Sequence, residues 1–400
     1  MMKRSKFILA AMSVSIFALQ AFVFAQSGRT PEPSVTTNSQ EKQESTTPTP
    51  ANTANLEKVR LILSNGFEKF VKDLNDNGKL GYRLEKSLSY GGEGVNQSYA
   101  AVLRLDAGNA YEYDWLSSPN RNLLDLRLNY QAKKGFNFVN AFALTLCSDE
   151  AKEAGGDPTV GTISILRFLK GDAFLLERKN GSTTQNKEYK VFTGKIGPGK
   201  NPKETIQAAL DAAPQGFRPV KILFSKEGWL DFRVSVLLEK NLPDDNTPKI
   251  EYRFVKEVSG FDKAVNALAA QGFRFIAGRR VGMVKFALMA RQANEATAYS
   301  FVDDEKYVKE FDKTIAQGNS YHGLMAGDLS CDSTEVVNQK LVFAQNSGGE
   351  KHEYKIYNVF NAKTSNQITG SLVEFQHLVS ENYQVRDLFY SGGLNVVFEK

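Results

Sequence analysis

Residues 250–291 read IEYRFVKEVSGFDKAVNALAAQGFRFIAGRRVGMVKFALMAR, and this stretch decides the fold. Ile250 to Val255 alternates in the period-2 manner of a strand with one face buried. Phe261, Ala264, Val265 and Leu268 then recur at helical spacing and define one apolar helix face. Gly272 follows where a helix closes through a left-handed residue, a conformation glycine adopts without strain. Phe273-Arg-Phe275-Ile begins a second strand, Gly278 and Gly282 flank a turn region, and Val284 to Leu288 makes a third strand. The unit is β-α-β-β.

The same order recurs outward in both directions. One copy starts near Leu56, carries Phe67, Phe70, Val71 and Leu74 on its helix face, and reaches Gly81-Tyr82. Another starts at Tyr111-Glu-Tyr113, carries Leu124 and Leu128, and reaches Gly135-Phe136. A third starts at Glu188-Tyr189, carries Ile206, Ala209, Leu210 and Ala213, and reaches Gly216-Phe217. A fifth starts at Ala298-Tyr299, carries Val308, Phe311 and Ile315, and reaches Gly318 and Tyr321. The last starts at Glu353-Tyr354, carries Ile368, Leu372 and Phe375, and reaches Asn382-Tyr383; asparagine is the usual substitute for glycine in the left-handed cap.

The expected fold is therefore α+β, tandem β-α-β-β repeats whose antiparallel sheets are each covered by one helix per unit. The repeats read as 56–110, 111–187, 188–249, 250–296, 297–351 and 352–400. The second holds an insertion from Cys147 to about Val160 and two further strand-like segments, Thr162–Leu169 and Ala173–Glu177. One unit of this size is marginal alone. Neighbours are expected to join sheets or pack faces, in a line, an arc or a closed body. A row of tyrosines on the first strands would either be buried by the next unit or present a binding face.

At these residues a resemblance appears. The 250–291 copy resembles a small bacterial family of unknown function whose units read E-Y-[KR]-V, then L-N-x-L-x-x-x-G-W-E-L-V, then a strand ending in Lys-Arg. The matching residues are Glu251-Tyr252-Arg253, Leu268 with Gly272-Phe273, and Ala290-Arg291. Phe or Tyr stands here for the family's Trp. The resemblance implies the same β-α-β-β fold over most of the body and brings no activity with it.

The chain begins with a basic n-region, Lys3, Arg4 and Lys6, and an apolar stretch from Phe7 to Ala25. Val23 and Ala25 precede Gln26 as a small-residue cleavage site, so 1–25 reads as a secretory signal; an uncleaved anchor is the alternative. Residues 26–55, rich in Ser, Thr, Pro, Gln and Asn, read as a disordered tether. Export to the periplasm or the medium follows, with no membrane span after signal removal. The net charge of +5 falls to +2 without Lys3, Arg4 and Lys6, which does not point to nucleic acid. Cys147 and Cys331 are a candidate disulfide in an oxidising compartment, or two separate small core residues.

Motifs for chemistry are thin. Gly194 to Asn201 nearly spells a phosphate loop, but Asn201 replaces the magnesium-binding Ser or Thr, and Pro198 removes an N–H donor. Asp73, Asn75, Asn77 and Gly78 resemble the front half of a calcium loop, but Leu84 stands where the bidentate Glu belongs. His322, His352 and His377 have no metal spacing. Asp244-Asp245 and Asp303-Asp304 read as solvated turn pairs. No catalytic, cofactor or metal residue is assigned. The expectation is an exported, non-catalytic binding or scaffold module of the cell envelope, its partner a protein or envelope component. A small-ligand or calcium binder is the alternative, and an enzyme a more remote one.

Overall fold

The computed structural model describes residues 57–90, 97–117, 123–145, 169–196, 200–226, 232–243, 248–281, 283–291, 298–303, 306–329, 336–337, 339–345, 352–361, 368–391 and 393–400. Residues 1–56, the stretch expected to be signal and tether, lie outside them, as do Cys147, Cys331 and the 147–160 insertion.

Six β-α-β-β units follow one another. The first is β1 (Val59–Asn65), α1 (Phe67–Gly78), β2 (Tyr82–Tyr90) and β3 (Ser98–Leu105). The second is β4 (Tyr111–Ser117), α2 (Leu124–Ala132), β5 (Asn137–Thr145) and β6 (Leu169–Lys179). The third is β7 (Lys187–Ile196), α3 (Pro202–Asp211), β8 (Arg218–Lys226) and β9 (Phe232–Asn241). The fourth is β10 (Tyr252–Glu257), α4 (Phe261–Ala269), β11 (Phe273–Val281) and β12 (Val284–Arg291). The fifth is β13 (Ala298–Asp303), α5 (Tyr307–Ala316), β14 (Asn319–Ala326), the short pair β15 (Asp328–Leu329) and β16 (Val336–Val337), and β17 (Lys340–Gln345). The sixth is β18 (Tyr354–Asn361), α6 (Ile368–Ser380), β19 (Gln384–Tyr390) and β20 (Gly393–Glu399).

In every unit the last long strand lies between the other two and pairs antiparallel with both. A short parallel pairing of Gly278 with Met325 and Arg279 with Ala326 joins the fourth and fifth sheets. The cap residues behave as their identities require. Gly81, Gly135, Gly216, Gly272 and Gly318 have φ of 82–92°, and Asn382 has φ 70°.

Each apolar core holds one unit's own helix and sheet residues and runs on into the next unit. One cluster joins Phe70, Leu74 and Tyr99 of the first unit to Tyr113 and Phe142 of the second. Equivalent clusters join the second unit to the third, third to fourth, fourth to fifth and fifth to sixth. A last one joins the sixth back to the first, through Phe375, Val385 and Phe398 against Val59, Ala100 and Val102. The units therefore form a closed circuit. Helices α1 to α4 each sit between their own sheet and the next, and α6 meets β1. Central strands such as Tyr99–Leu103 and Val396–Phe398 are consequently buried on both faces. The first-strand tyrosines Tyr113, Tyr189, Tyr252 and Tyr299 are buried at these seams.

Polar clamps fix the seams. An amide on a helix grips the backbone of the next unit's first strand. Asn129 Nδ2 donates to the Tyr189 carbonyl at 2.9 Å while its Oδ1 accepts from Tyr189 N–H at 2.8 Å. Asn75 and Asn266 do the same to Tyr113 and Tyr299. Gln207, one methylene longer, spans the Tyr252 carbonyl and the Phe254 N–H. Gln376 of α6 donates to the Val59 carbonyl at 2.8 Å, closing the circuit. At five of the six caps the next residue is an aromatic buried in its seam, and a cation covers one ring face: Arg60 on Tyr82, Arg178 on Phe136, Lys190 on Phe217, Arg291 on Phe273, Lys355 on Tyr383.

Candidate functional site

The strand after each helix carries a β-bulge at the same place. The register shifts between Leu84 and Lys86, Phe138 and Asn140, Pro219 and Lys221, Phe275 and Ala277, Tyr321 and Gly323, and Val385 and Asp387. A bulge adds one residue and re-aims the side chains beyond it. These six strands also carry the contacts that run round the circuit: β2 meets β5, β8 meets β6 and β11, β14 meets β11 and β19, and β19 meets β2. The residues after the bulges are thereby gathered at the middle of the circuit.

A cavity of ≈ 300 Å³ opens there, lined by residues of the first five units. Its polar wall is continuous. Lys221 Nζ donates to Asn140 Oδ1 at 2.7 Å, and Asn140 Nδ2 donates to Ser87 Oγ at 2.9 Å and to the Ser87 carbonyl at 3.2 Å. Across the wall Arg279, 7% exposed, lies 3.9 Å from Asp172, 2% exposed. Two buried polar atoms of lining residues have no hydrogen-bond partner among the described residues: Arg279 Nε and Gln339 Oε1. A buried donor or acceptor left unpaired costs about 1–3 kcal/mol, so each such atom calls for an explanation.

Electrostatics tie further residues to this wall. Burial, then the Arg279 cation, push the Lys221 ammonium down to about 8, against the pull of Asp172 and Asp387. Burial raises the Asp387 carboxyl, while Lys86, the Leu388 N–H, the Tyr321 hydroxyl and Lys221 hold it down. Tyr321 donates to Asp387 Oδ2 at 3.2 Å. Lys86, Lys221 and Arg279 thus face Asp172 and Asp387, an excess of one cation.

The residues singled out in the sequence lie elsewhere. Asn201 caps α3, accepting from Lys203 N–H at 3.2 Å with Pro202 behind it, and β7 runs antiparallel to its neighbour, so this is a helix start. Asp73 to Gly78 lie inside α1 rather than in a helix-ending loop. Asp73 accepts from Ser64 and Lys69, Asn75 clamps Tyr113, and Asp76 pairs with Lys72 and Lys79. Two residues further along, the helix has turned Asn75 to the face opposite Asp73, unlike the convergent oxygens of a calcium loop. No cluster of metal-ligating side chains occurs among the described residues. Asp303 pairs with Lys340 at 2.8 Å; Asp244, Asp245 and Asp304 lie outside the described residues.

Two histidines share a cavity. His322, a bulge residue, and His352 line one small cavity of ≈ 160 Å³ with Tyr321, Tyr354 and Glu399. His322 Nε2 lies 2.7 Å from the Phe275 carbonyl, so that nitrogen carries the proton, and burial lowers its pKa. His352 Nδ1 sits 3.3 Å from Glu399, and His377 is exposed on α6, 3.9 Å from Glu381. No helix among the described residues is long and apolar enough to cross a membrane. No family model, no curated protein and no solved structure matches the chain.

Proposed function

We propose that this is an exported binding protein that holds a small anion in its central cavity. This is the small-ligand alternative of the sequence reading; the resemblance to a family without known activity adds nothing for or against it. The observation that carries it is the pair of buried, unpartnered atoms, Arg279 Nε and Gln339 Oε1, on a wall that also carries Lys221. An anion supplies the acceptor that Arg279 lacks and balances the extra cation. A hydroxyl or amide on the same ligand, or a water held with it, supplies the donor that Gln339 lacks. The volume is at the lower end of known ligand cavities, so the ligand is small. The circuit supports this reading physically: a site whose walls come from five units is preorganised by all the seams at once.

The test is calorimetry and thermal unfolding of the full chain with acetate and with inorganic phosphate, against chloride at equal ionic strength. A ligand that binds only the folded form raises the melting temperature in proportion to its saturation. Acetate or phosphate should raise it, and Lys221→Gln and Arg279→Gln should each cut affinity at least tenfold. No shift beyond the chloride control defeats the reading.

A further inference from the structure

The clamp that holds five seams fails at the sixth. On α1, α2 and α4 the gripping Asn stands six residues before the cap glycine, and on α6 Gln376 stands six before Asn382. On α5 that place belongs to Asp312, six before Gly318. A carboxylate has no N–H to give. It can neither donate to the next strand's carbonyl nor approach it without repulsion.

The consequence is visible at β18. Glu353 and Lys400 exchange both of their backbone hydrogen bonds, so Tyr354, the next residue, turns its N–H and carbonyl outward, as Tyr113 does in its clamp. Among the described residues no side chain reaches either group. Helix α5 stands off, and a groove of ≈ 750 Å³ runs between α5 and α6 with β18 as its floor. Phe311 and Tyr354 give it apolar and aromatic surface. Asp312, Glu374 and Glu381 line it against Lys355 and His377. Lys355 and His377 are both occupied with Glu381, at 3.7 and 3.9 Å, whereas Asp312 and Glu374 make no ion pair among the described residues. The fifth and sixth units stay joined from the sheet side, through Tyr307 to Asn395 at 2.8 Å and the packing of Phe311, Phe343, Phe389 and Val397.

We infer that this seam is a docking groove for an extended, basic peptide segment of a partner protein. The peptide backbone pairs with the outward N–H and carbonyl of Tyr354, as an added strand on an open sheet edge. Its Lys or Arg side chains meet Asp312 and Glu374, the charges left without partners. Elsewhere in the circuit the same edge is closed by an Asn or Gln side chain, so one sequence change marks the one seam left open to a ligand. This site is separate from the central cavity and does not depend on the anion reading.

The experiment is fluorescence anisotropy of a labelled, capped peptide of alternating valine and lysine, titrated with the full chain at low salt. Three comparisons accompany it: the same peptide with glutamate for lysine, the same peptide N-methylated at alternate residues, and Asp312→Asn protein. The lysine peptide should bind, and each of the three changes should weaken it at least tenfold. Asp312→Asn should at the same time raise the unfolding midpoint, because it restores the clamp. Equal binding by the N-methylated peptide overturns strand addition. Equal binding by Asp312→Asn protein, or no binding of the lysine peptide at all, overturns the site.

Discussion

Asn75 Nδ2 donates to the Tyr113 carbonyl at 2.9 Å, and Asn75 Oδ1 accepts from the Tyr113 N–H at 2.9 Å. One side chain on one unit thus satisfies both outward backbone groups of a strand in the next. Asn75→Ala removes both bonds and leaves two partly buried backbone groups without partners. The expected loss is about 1–3 kcal/mol of stability, read as a lower urea midpoint. Asn75→Asp keeps the acceptor but sets a carboxylate against a carbonyl, and it should cost at least as much. Equal midpoints for wild type and Asn75→Ala would mean that the seam is held by packing alone.

The tyrosine hydroxyls supply a second lock, and one seam provides an internal control. Tyr113, Tyr189 and Tyr299 each accept from a backbone N–H three residues beyond the preceding cap glycine: Leu84, Phe138 and Phe275, at 2.8, 2.7 and 2.9 Å. Beyond Gly216 that position is Pro219, which has no N–H to donate. Tyr→Phe at 113, 189 or 299 should cost about 1–3 kcal/mol, because it orphans a buried donor. Tyr252→Phe, with nothing to orphan there, should stay within about 0.5 kcal/mol of wild type. Denaturant melts of the four variants decide it, and a uniform loss would remove the hydroxyl bonds from the account.

Much of this fold is legible in the sequence because it rests on local physics. A left-handed cap needs Gly or Asn, and Gly81, Gly272 and Asn382 mark helix ends wherever they fall. The clamp is not legible this way: Asn75, Asn129 and Asn266 all fall at the Asn of the L-N-x-L-x-x-x-G spacing, but the strand each one grips lies across a seam that spacing alone does not reveal. The central site left no such trace. Lys86, Asn140, Lys221, Ala277, Gly323 and Asp387 occupy equivalent places yet share no chemistry, and a one-residue bulge carries each of them out of the strand's alternation. His322 and His352 lie on different units and line one cavity only because those units pack together. Closure itself depends on contacts between residues as far apart as Val59 and Gln376.

Two left-handed glycines, Gly135 at the end of α2 and Gly181 in the turn between β6 and β7, differ in what surrounds them, which separates backbone strain from crowding. At Gly135 φ is 87°, and an added Cβ would stand 2.3 Å from the Ser182 carbonyl oxygen. At Gly181 φ is 77° and an added Cβ would meet nothing within 4 Å. Gly181→Ala should cost only the left-handed penalty, about 1–2 kcal/mol. Gly135→Ala must also displace the turn that packs against it, so its loss should be clearly larger. Comparable melting temperatures for the two variants would show that the Ser182 turn yields without cost.

The charged wall predicts a stability profile on the alkaline side. Lys221 titrates near 8 in the folded protein and near 10.5 when free, so between those values the unfolded chain holds more protons. Unfolding free energy then rises with pH across that window. Buried tyrosines act oppositely: Tyr99, Tyr113 and Tyr189 are raised above 10 by burial, so stability falls once the unfolded chain begins to ionise them. The expected curve climbs from about pH 8 and turns down near 10. Lys221→Met should abolish the climb and keep the fall. An anion bound beside Lys221 favours its ammonium form, so binding above pH 8 should take up protons, and calorimetry in two buffers of different ionisation enthalpy reads that uptake directly. A flat wild-type curve from 8 to 10, or anion binding with no proton uptake at pH 9, would detach Lys221 from the site.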